Sequence, residues 1–219
     1  MQKDIENSWS IENEFHKYVR AERWTKYIAQ YETVRRCSAS VSGAVVEVGV
    51  HKMNSLVRLH AFHKALGLDP QYVGFDMFDT FMVSNPESAL DSDFSFVQNF
   101  EEKTGGALSL EEAQKVADYH CISNIKLLKG DIFETIPENI DLFSSGIRFL
   151  HVDVDVLPAT YFALQTLVPL CNQGGVVLLD DYSHVEGATE AIDRFLSENK
   201  GRYSLKKIGE DRPIHYFDI

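Results

Sequence analysis

Four carboxylates carry the clearest chemical signal in this chain. Asp153 and Asp155 lie in His-Val-Asp-Val-Asp-Val, and Asp180 and Asp181 lie in Leu-Leu-Asp-Asp-Tyr. Each pair ends a short apolar, β-branched run of the kind that forms a buried strand. If the two strands are neighbours, four anions crowd into one small volume, where like charges disfavour joint ionisation. A hard divalent cation removes that conflict. Magnesium fits such a cluster, since it takes oxygen ligands, keeps waters and leaves positions open to a substrate hydroxyl. Calcium needs more ligands than are evident, and zinc would want His or Cys. The plain alternative is that Asp155 caps the following helix while Asp180 and Asp181 are solvated turn residues. Two such pairs at adjacent sheet ends favour a site. A lysine or arginine already neutralising the four would remove the argument for a dication.

A second group of residues points to a nucleoside. Val46-Glu47-Val48-Gly49-Val50 places a glycine just after a strand, where backbone can approach a ligand closely. The continuation His51-Lys52-Met53-Asn54-Ser55 lacks the further glycines of a dinucleotide fingerprint, and the chain has no P-loop. A nucleoside cofactor without a pyrophosphate fits better. Asp76, at the end of the next strand, is placed to accept from both ribose hydroxyls. Asp131 follows a third strand. His151 reads as a packed or hydrogen-bonded core histidine. His184, in the loop after Asp-Asp-Tyr-Ser, could assist deprotonation, with a surface or supporting role favoured.

The elements that must position these residues alternate. A helical N-terminal extension covers 1–40, with apolar Trp9, Ile11, Phe15, Tyr18, Val19, Trp24, Tyr27 and Ile28 suggesting a helix over 8–40. Strands are expected at 44–50, 71–76, 124–129, 147–154 and 176–179, with helices at 53–66, from Gly130-Asp131 to just before Pro137, from Pro158 to about Leu170, and at 186–199. Gly174-Gly175 is expected to break the helix from Pro158, ahead of the fifth strand. Strands near 203–208 and 213–218 have no helix between them and should form an antiparallel hairpin. Residues 77–120 read as an insertion covering a site, with one helix over 110–119 capped by Ser109. This alternation predicts a single α/β domain over 1–219: a doubly wound, mostly parallel, seven-stranded Rossmann-like sheet with helices on both faces. Ligands of such sheets bind beyond the carboxyl ends of the strands, where the acids fall.

Composition narrows the partners. With 219 residues, 44% hydrophobic and 25% charged, the chain can bury a substantial core. A formal net charge of −12 argues against unaided nucleic-acid binding. No run approaches a membrane span and no apolar leader is evident, so the expected address is the cytoplasm, with no membrane partner. Cys37, Cys121 and Cys171 form no CxxC pair and are expected as free thiols. The aromatics of 78–100 and the N-terminal helices suggest a cover over the site or a homo-oligomer contact.

The motifs together resemble a known family. Val-Val-Glu-Val-Gly-Val at 45–50, Gly74-Phe75-Asp76, Lys129-Gly130-Asp131 through Pro137, Leu150-His-Val-Asp-Val-Asp155 with Thr160, and Gly174-Gly175-Val-Val-Leu-Leu-Asp-Asp-Tyr182 are similar to the macrocin O-methyltransferase-like group of magnesium-dependent sugar O-methyltransferases that use S-adenosylmethionine (SAM). The likeness runs from about residue 44 to 199 and implies the class I methyltransferase fold. It also implies roles. Glu47, Gly49 and Ser55 would line the methionine end of SAM, Asp76 would hold the ribose, and Asp131 would approach the adenine. Asp153, Asp180 and Asp181 would bind magnesium, with Asp153 the general base and Asp155 the second candidate. Two departures stand out: Lys52-Met53-Asn54 replaces glycines of the family, and Asp153-Val-Asp-Val-Leu-Pro-Ala-Thr160 lacks its aromatic and acid, implying an altered acceptor pocket. The implied activity is O-methylation of a small-molecule hydroxyl, on a sugar or glycosylated metabolite. The alternatives are a catechol-like phenol as acceptor, or a degenerate domain that only binds a partner.

Overall fold

Two strands buried along their whole length form the middle of the sheet, β1 (Ala44–Val48) and β4 (Ile147–Val152). Strands covered on both faces need no polar alternation, which is why these segments are almost continuously apolar. The computed structural model describes residue 14 and residues 21–37, 39–210 and 212–219. β2 (Tyr72–Asp76) and β3 (Ile125–Lys129) extend the sheet on one side and β5 (Cys171–Leu179) on the other, all parallel. β6 (Lys206–Ile208) and β7 (Ile214–Asp218) form the expected antiparallel hairpin, and β7 pairs antiparallel with β5. The strand order is β3-β2-β1-β4-β5-β7-β6.

Alternate residues of each strand serve opposite layers. Val45, Phe149, Val176 and Leu178 pack with α1 (Ala21–Arg36), α2 (Asn54–Ala65) and α4 (Leu110–Tyr119) through Ala29, Leu56, Leu59 and Ala113. Val46, Val48, Leu150 and Val152 pack with α5 (Ile132–Glu138), α6 (Leu157–Leu167) and α7 (Glu186–Glu198) through Ile136, Leu164, Ile192 and Phe195. Ser109 caps α4 as expected: its hydroxyl accepts from the Glu112 N–H while the Glu112 carboxylate accepts from the Ser109 N–H.

Three expectations need correction, and one falls partly outside the described residues. The helix predicted over 8–40 is described as α1 from Ala21 and stops at Arg36; residues 8–13 and 15–20 lie outside the described residues. Gly174-Gly175 does not break the helix, which ends at Leu167, but lies inside β5. A Cβ on Gly175 would fall 2.8 Å from the Asn172 carbonyl oxygen and 2.9 Å from that of Arg148, so glycine there permits close backbone approach where the β4–β5 register shifts. α5 runs through Pro137 to Glu138. The 77–120 insertion holds a second helix, α3 (Asp91–Thr104). Buried Asp93 anchors it, accepting from the backbone N–H groups of Leu90 (3.0 Å) and Leu157 (3.3 Å). A Cβ on Gly187 would sit 1.9 Å from Asp93 Oδ1, so a glycine in α7 is what lets the insertion dock there. Among the described residues the cysteines are free, and no helix is long and apolar enough to cross a membrane.

Candidate active site

The carboxyl ends of β1, β2, β4 and β5 open into one cleft of about 870 Å³, within the usual range for small-molecule sites. Gly49, Ser55, Asp76 and Asp131 line it, and so do Asp153, Asp155, Asp180, Asp181 and His184. Of the residues expected there, Glu47 does not reach it. Its side chain is wholly buried, and its Oε1 lies 2.7 Å from His151 Nδ1 between β1 and β4. Pairing Glu47 with His151 across neighbouring strands turns the carboxylate into the sheet.

The β4–β5 register aligns Val152 with Leu179, which sets Asp153 beside Asp180. The acids do not form one uniform cluster. The ligand atoms of His151, Asp153 and Asp180 lie within 4.8 Å of one another, and so do those of Asp153, Asp155 and Asp181. The expected trio of Asp153, Asp180 and Asp181 is thus divided between two groups that share Asp153. The first group already has a cation. Lys26 on α1 donates from Nζ to Asp180 Oδ2 at 2.7 Å and to Asp153 Oδ2 at 3.3 Å. His151 Nε2 lies 3.6 Å from Asp180 Oδ1.

The proton affinities follow this division. Burial opposes charge on His151, but Asp180 and Glu47 outweigh it and hold its pKa near 9. Burial likewise opposes charge on Lys26, and Asp153 and Asp180 overcome it and hold the ammonium charged. Burial would raise Asp180, yet Lys26 and His151 hold it well below the usual carboxylate range. Asp153 is raised by burial and by Asp180. The second group lacks such help: burial and then Asp153 push Asp155 up to about 8, and burial with Asp155 drives Asp181 well above its ordinary value. The Asp181 carboxylate accepts the Asp155 backbone N–H at 3.2 Å. Asp155 itself sits at φ +61°, a left-handed conformation that Asp tolerates better than most side chains.

At the end of β1, Gly49 has φ +92°, and a Cβ there would fall 1.8 Å from the Asp153 carbonyl oxygen. The loop after it keeps the left-handed turns that glycine would ease, with His51 at φ +50° and Met53 at φ +64°. Such a residue costs about 1–2 kcal/mol. Complete burial of the Met53 side chain returns about as much. Asp76 braces this loop: its Oδ2 accepts from the N–H groups of Val50 (2.8 Å) and His51 (2.7 Å), and its Oδ1 from Phe78 (2.7 Å). Three of roughly four acceptor directions are filled, so Asp76 retains about one for a ligand hydroxyl. Asp131 caps α5, accepting from the Phe133 N–H at 3.0 Å. Arg58 also faces the cleft. Its Nε donates to Gln30 Oε1 at 2.8 Å, its guanidinium lies 4.6 Å over the Tyr27 ring, and no carboxylate among the described residues pairs with it.

The insertion supplies a wall. Phe81, Phe96 and Phe100 line the cleft, with Phe96 and Phe100 stacked at 5.6 Å. His51 Nε2 lies 3.0 Å from the Gly106 carbonyl oxygen and Lys52 Nζ donates to that of Thr104, tying the wall to the loop after β1. His184 is exposed, its Nε2 3.0 Å from the Pro213 carbonyl oxygen, and so is braced against the β6–β7 hairpin. Sequence reasoning missed Lys26 and Arg58. Both stand on helix faces with no motif around them, 127 residues from Asp153 in the first case.

This strand order, with a glycine turn after β1 and acids at the tips of β2, β4 and β5, defines a class I methyltransferase fold. The family model for macrocin O-methyltransferase (TylF) matches residues 15–216, and the chain belongs to that family of O-methyltransferases. No curated protein sequence matches it. Among solved structures it is similar to the O-methyltransferase NovP, at 20% identity and TM-score 0.75 over 89% of this chain and 79% of that one. It is also similar to CalS11, a calicheamicin methyltransferase, at 20% identity and TM-score 0.74 over 96% and 85%. An O-methyltransferase from Bacillus cereus in complex with SAH follows at 12% identity and TM-score 0.54, over 92% and 82%.

Proposed function

We propose that this enzyme transfers the methyl group of SAM to a hydroxyl of a sugar or glycosylated small molecule, assisted by magnesium. The observation that carries the reading is the shared cleft: Asp153 opens into the same cavity as Gly49, Asp76 and Asp131. The residues fit a nucleoside cofactor, because Asp76 lines the cleft with Gly49 and Asp131 and retains about one acceptor direction for a hydroxyl. They also fit a hard dication, because Asp155 and Asp181 are buried oxygen donors with too little positive charge nearby. Structures of related fold were solved with SAM or SAH, and one CalS11 structure is described as a TDP-rhamnose 3'-O-methyltransferase.

Asp153, Asp155 and Asp181 would hold magnesium, with Asp180 adjoining. SAM supplies a methyl carbon activated by its sulfonium, and magnesium would lower the pKa of a bound hydroxyl. The protein does the rest by position and charge. Arg58, beside Ser55 on α2, offers its guanidinium to the methionine carboxylate. Asp153 takes the acceptor's proton on a carboxylate oxygen. Phe81, Phe96 and Phe100 exclude water from the transfer. The test is purified enzyme with SAM and magnesium against a panel of sugars, nucleotide sugars and catechols. Methylation of a sugar hydroxyl supports the reading; methylation of catechols alone replaces the acceptor class. Absence of SAM binding at millimolar ligand would leave a partner-binding domain.

A further inference from the structure

The cation that the acids already hold bears on the one they are expected to bind. We propose that Lys26 is a tethered counter-ion that competes with the divalent cation for Asp153, so that cation binding requires its ammonium to withdraw. The proposal rests on the reading of these acids as a dication site.

Lys26 Nζ bridges Asp180 Oδ2 and Asp153 Oδ2 across the tips of two neighbouring strands. Asp153 is the one member common to both acidic groups, so any cation drawn to Asp155 and Asp181 must share it with Lys26. Magnesium closes on oxygen at about 2.0–2.1 Å, within the space an ammonium on the same carboxylate fills. Two unscreened positive charges side by side repel strongly in a half-buried site. Withdrawal needs no helix movement, because the flexible four-carbon stem can carry the charge into the open cleft that Lys26 already lines. A helix-borne lysine would thus keep the cluster folded without metal and yield to it when metal arrives. The opposite role is a scaffold, in which Lys26 holds the carboxylates in place for the cation. The two roles predict opposite signs.

The test is manganese binding by electron paramagnetic resonance on the full-length wild type, Lys26→Met, Lys26→Gln and Lys26→Arg, without SAM. Competition predicts that both neutral variants bind manganese about tenfold tighter or more, and that Lys26→Arg stays near wild type. Without metal, the neutral variants should melt below wild type, and saturating manganese should lift them more. A readout free of substitution is acylation of Lys26 in the wild type, followed by mass spectrometry. The half-buried, ion-paired amine should label slowly alone and faster with manganese. Unchanged or weaker manganese binding in both neutral variants, or labelling indifferent to manganese, overturns the proposal while leaving the dication site standing. Absence of manganese binding in every protein overturns both.

Discussion

The two halves of the acidic cluster differ in what balances them. Asp153 and Asp180 face Lys26 and His151, so Asp180 stays ionised although it is half-buried. Asp155 and Asp181 lie within 4.8 Å of the same Asp153, and burial and mutual repulsion raise both so that they resist ionisation. The mutual repulsion read from the sequence therefore survives in only one half. Lys26 relieves the other, which halves the case for a dication and puts the proposed site on the Asp155–Asp181 side.

Substitutions can break this comparison in graded steps. Asp153→Asn should lower the turnover number about 10³-fold by removing the proton acceptor, with SAH affinity by calorimetry nearly unchanged. Retained activity would reject Asp153 as the base. Asp180→Asn leaves Lys26 and His151 without their shared partner and should cost about 4 kcal/mol of metal-free stability in urea unfolding. His63 gives a reference outside the cluster. Burial lowers its pKa to about 4, and its ring is wholly buried against Tyr72 and Phe149. An imidazole depressed in the folded state contributes stability that is present above its unfolded pKa near neutrality and is lost as pH falls towards 4. That loss should be roughly 3 kcal/mol, and His63→Leu should flatten it. Asp155→Asn has the opposite sign to Asp180→Asn. Asparagine tolerates the left-handed backbone, and removing an uncompensated buried charge should stabilise the metal-free protein by about 1 kcal/mol at pH 8. Equal destabilisation by Asp155→Asn and Asp180→Asn would erase the distinction between the halves.

Much of this was legible in the sequence because sheets have a simple grammar. Apolar runs marked the strands, and acids at their carboxyl ends marked the cleft. Asp153, Asp155, Asp180 and Asp181 were readable since a strand ends just before each pair, and the β4–β5 pairing does the rest. Lys26 was not readable, because a lysine on an amphipathic helix looks like any surface lysine until the tertiary fold brings it over the sheet. The partner of Glu47 was hidden for a related reason: its place in the motif was legible, but the β1–β4 register that turns it towards His151 is a tertiary feature. The α3 helix was hidden by mixed phenylalanines and acids, and it depends on the Asp93–Gly187 contact, which is not a local signal. Gly175 looked like punctuation and proved to be a packing requirement.

The most direct measurement is a crystal structure of the enzyme with SAH and manganese, read by anomalous scattering at the manganese edge. The prediction is SAH along the carboxyl ends of β1 and β2 near Asp76, and a manganese peak bounded by Asp153, Asp155 and Asp181. A cleft holding SAH with no peak beside these three, or SAH bound elsewhere, would contradict it.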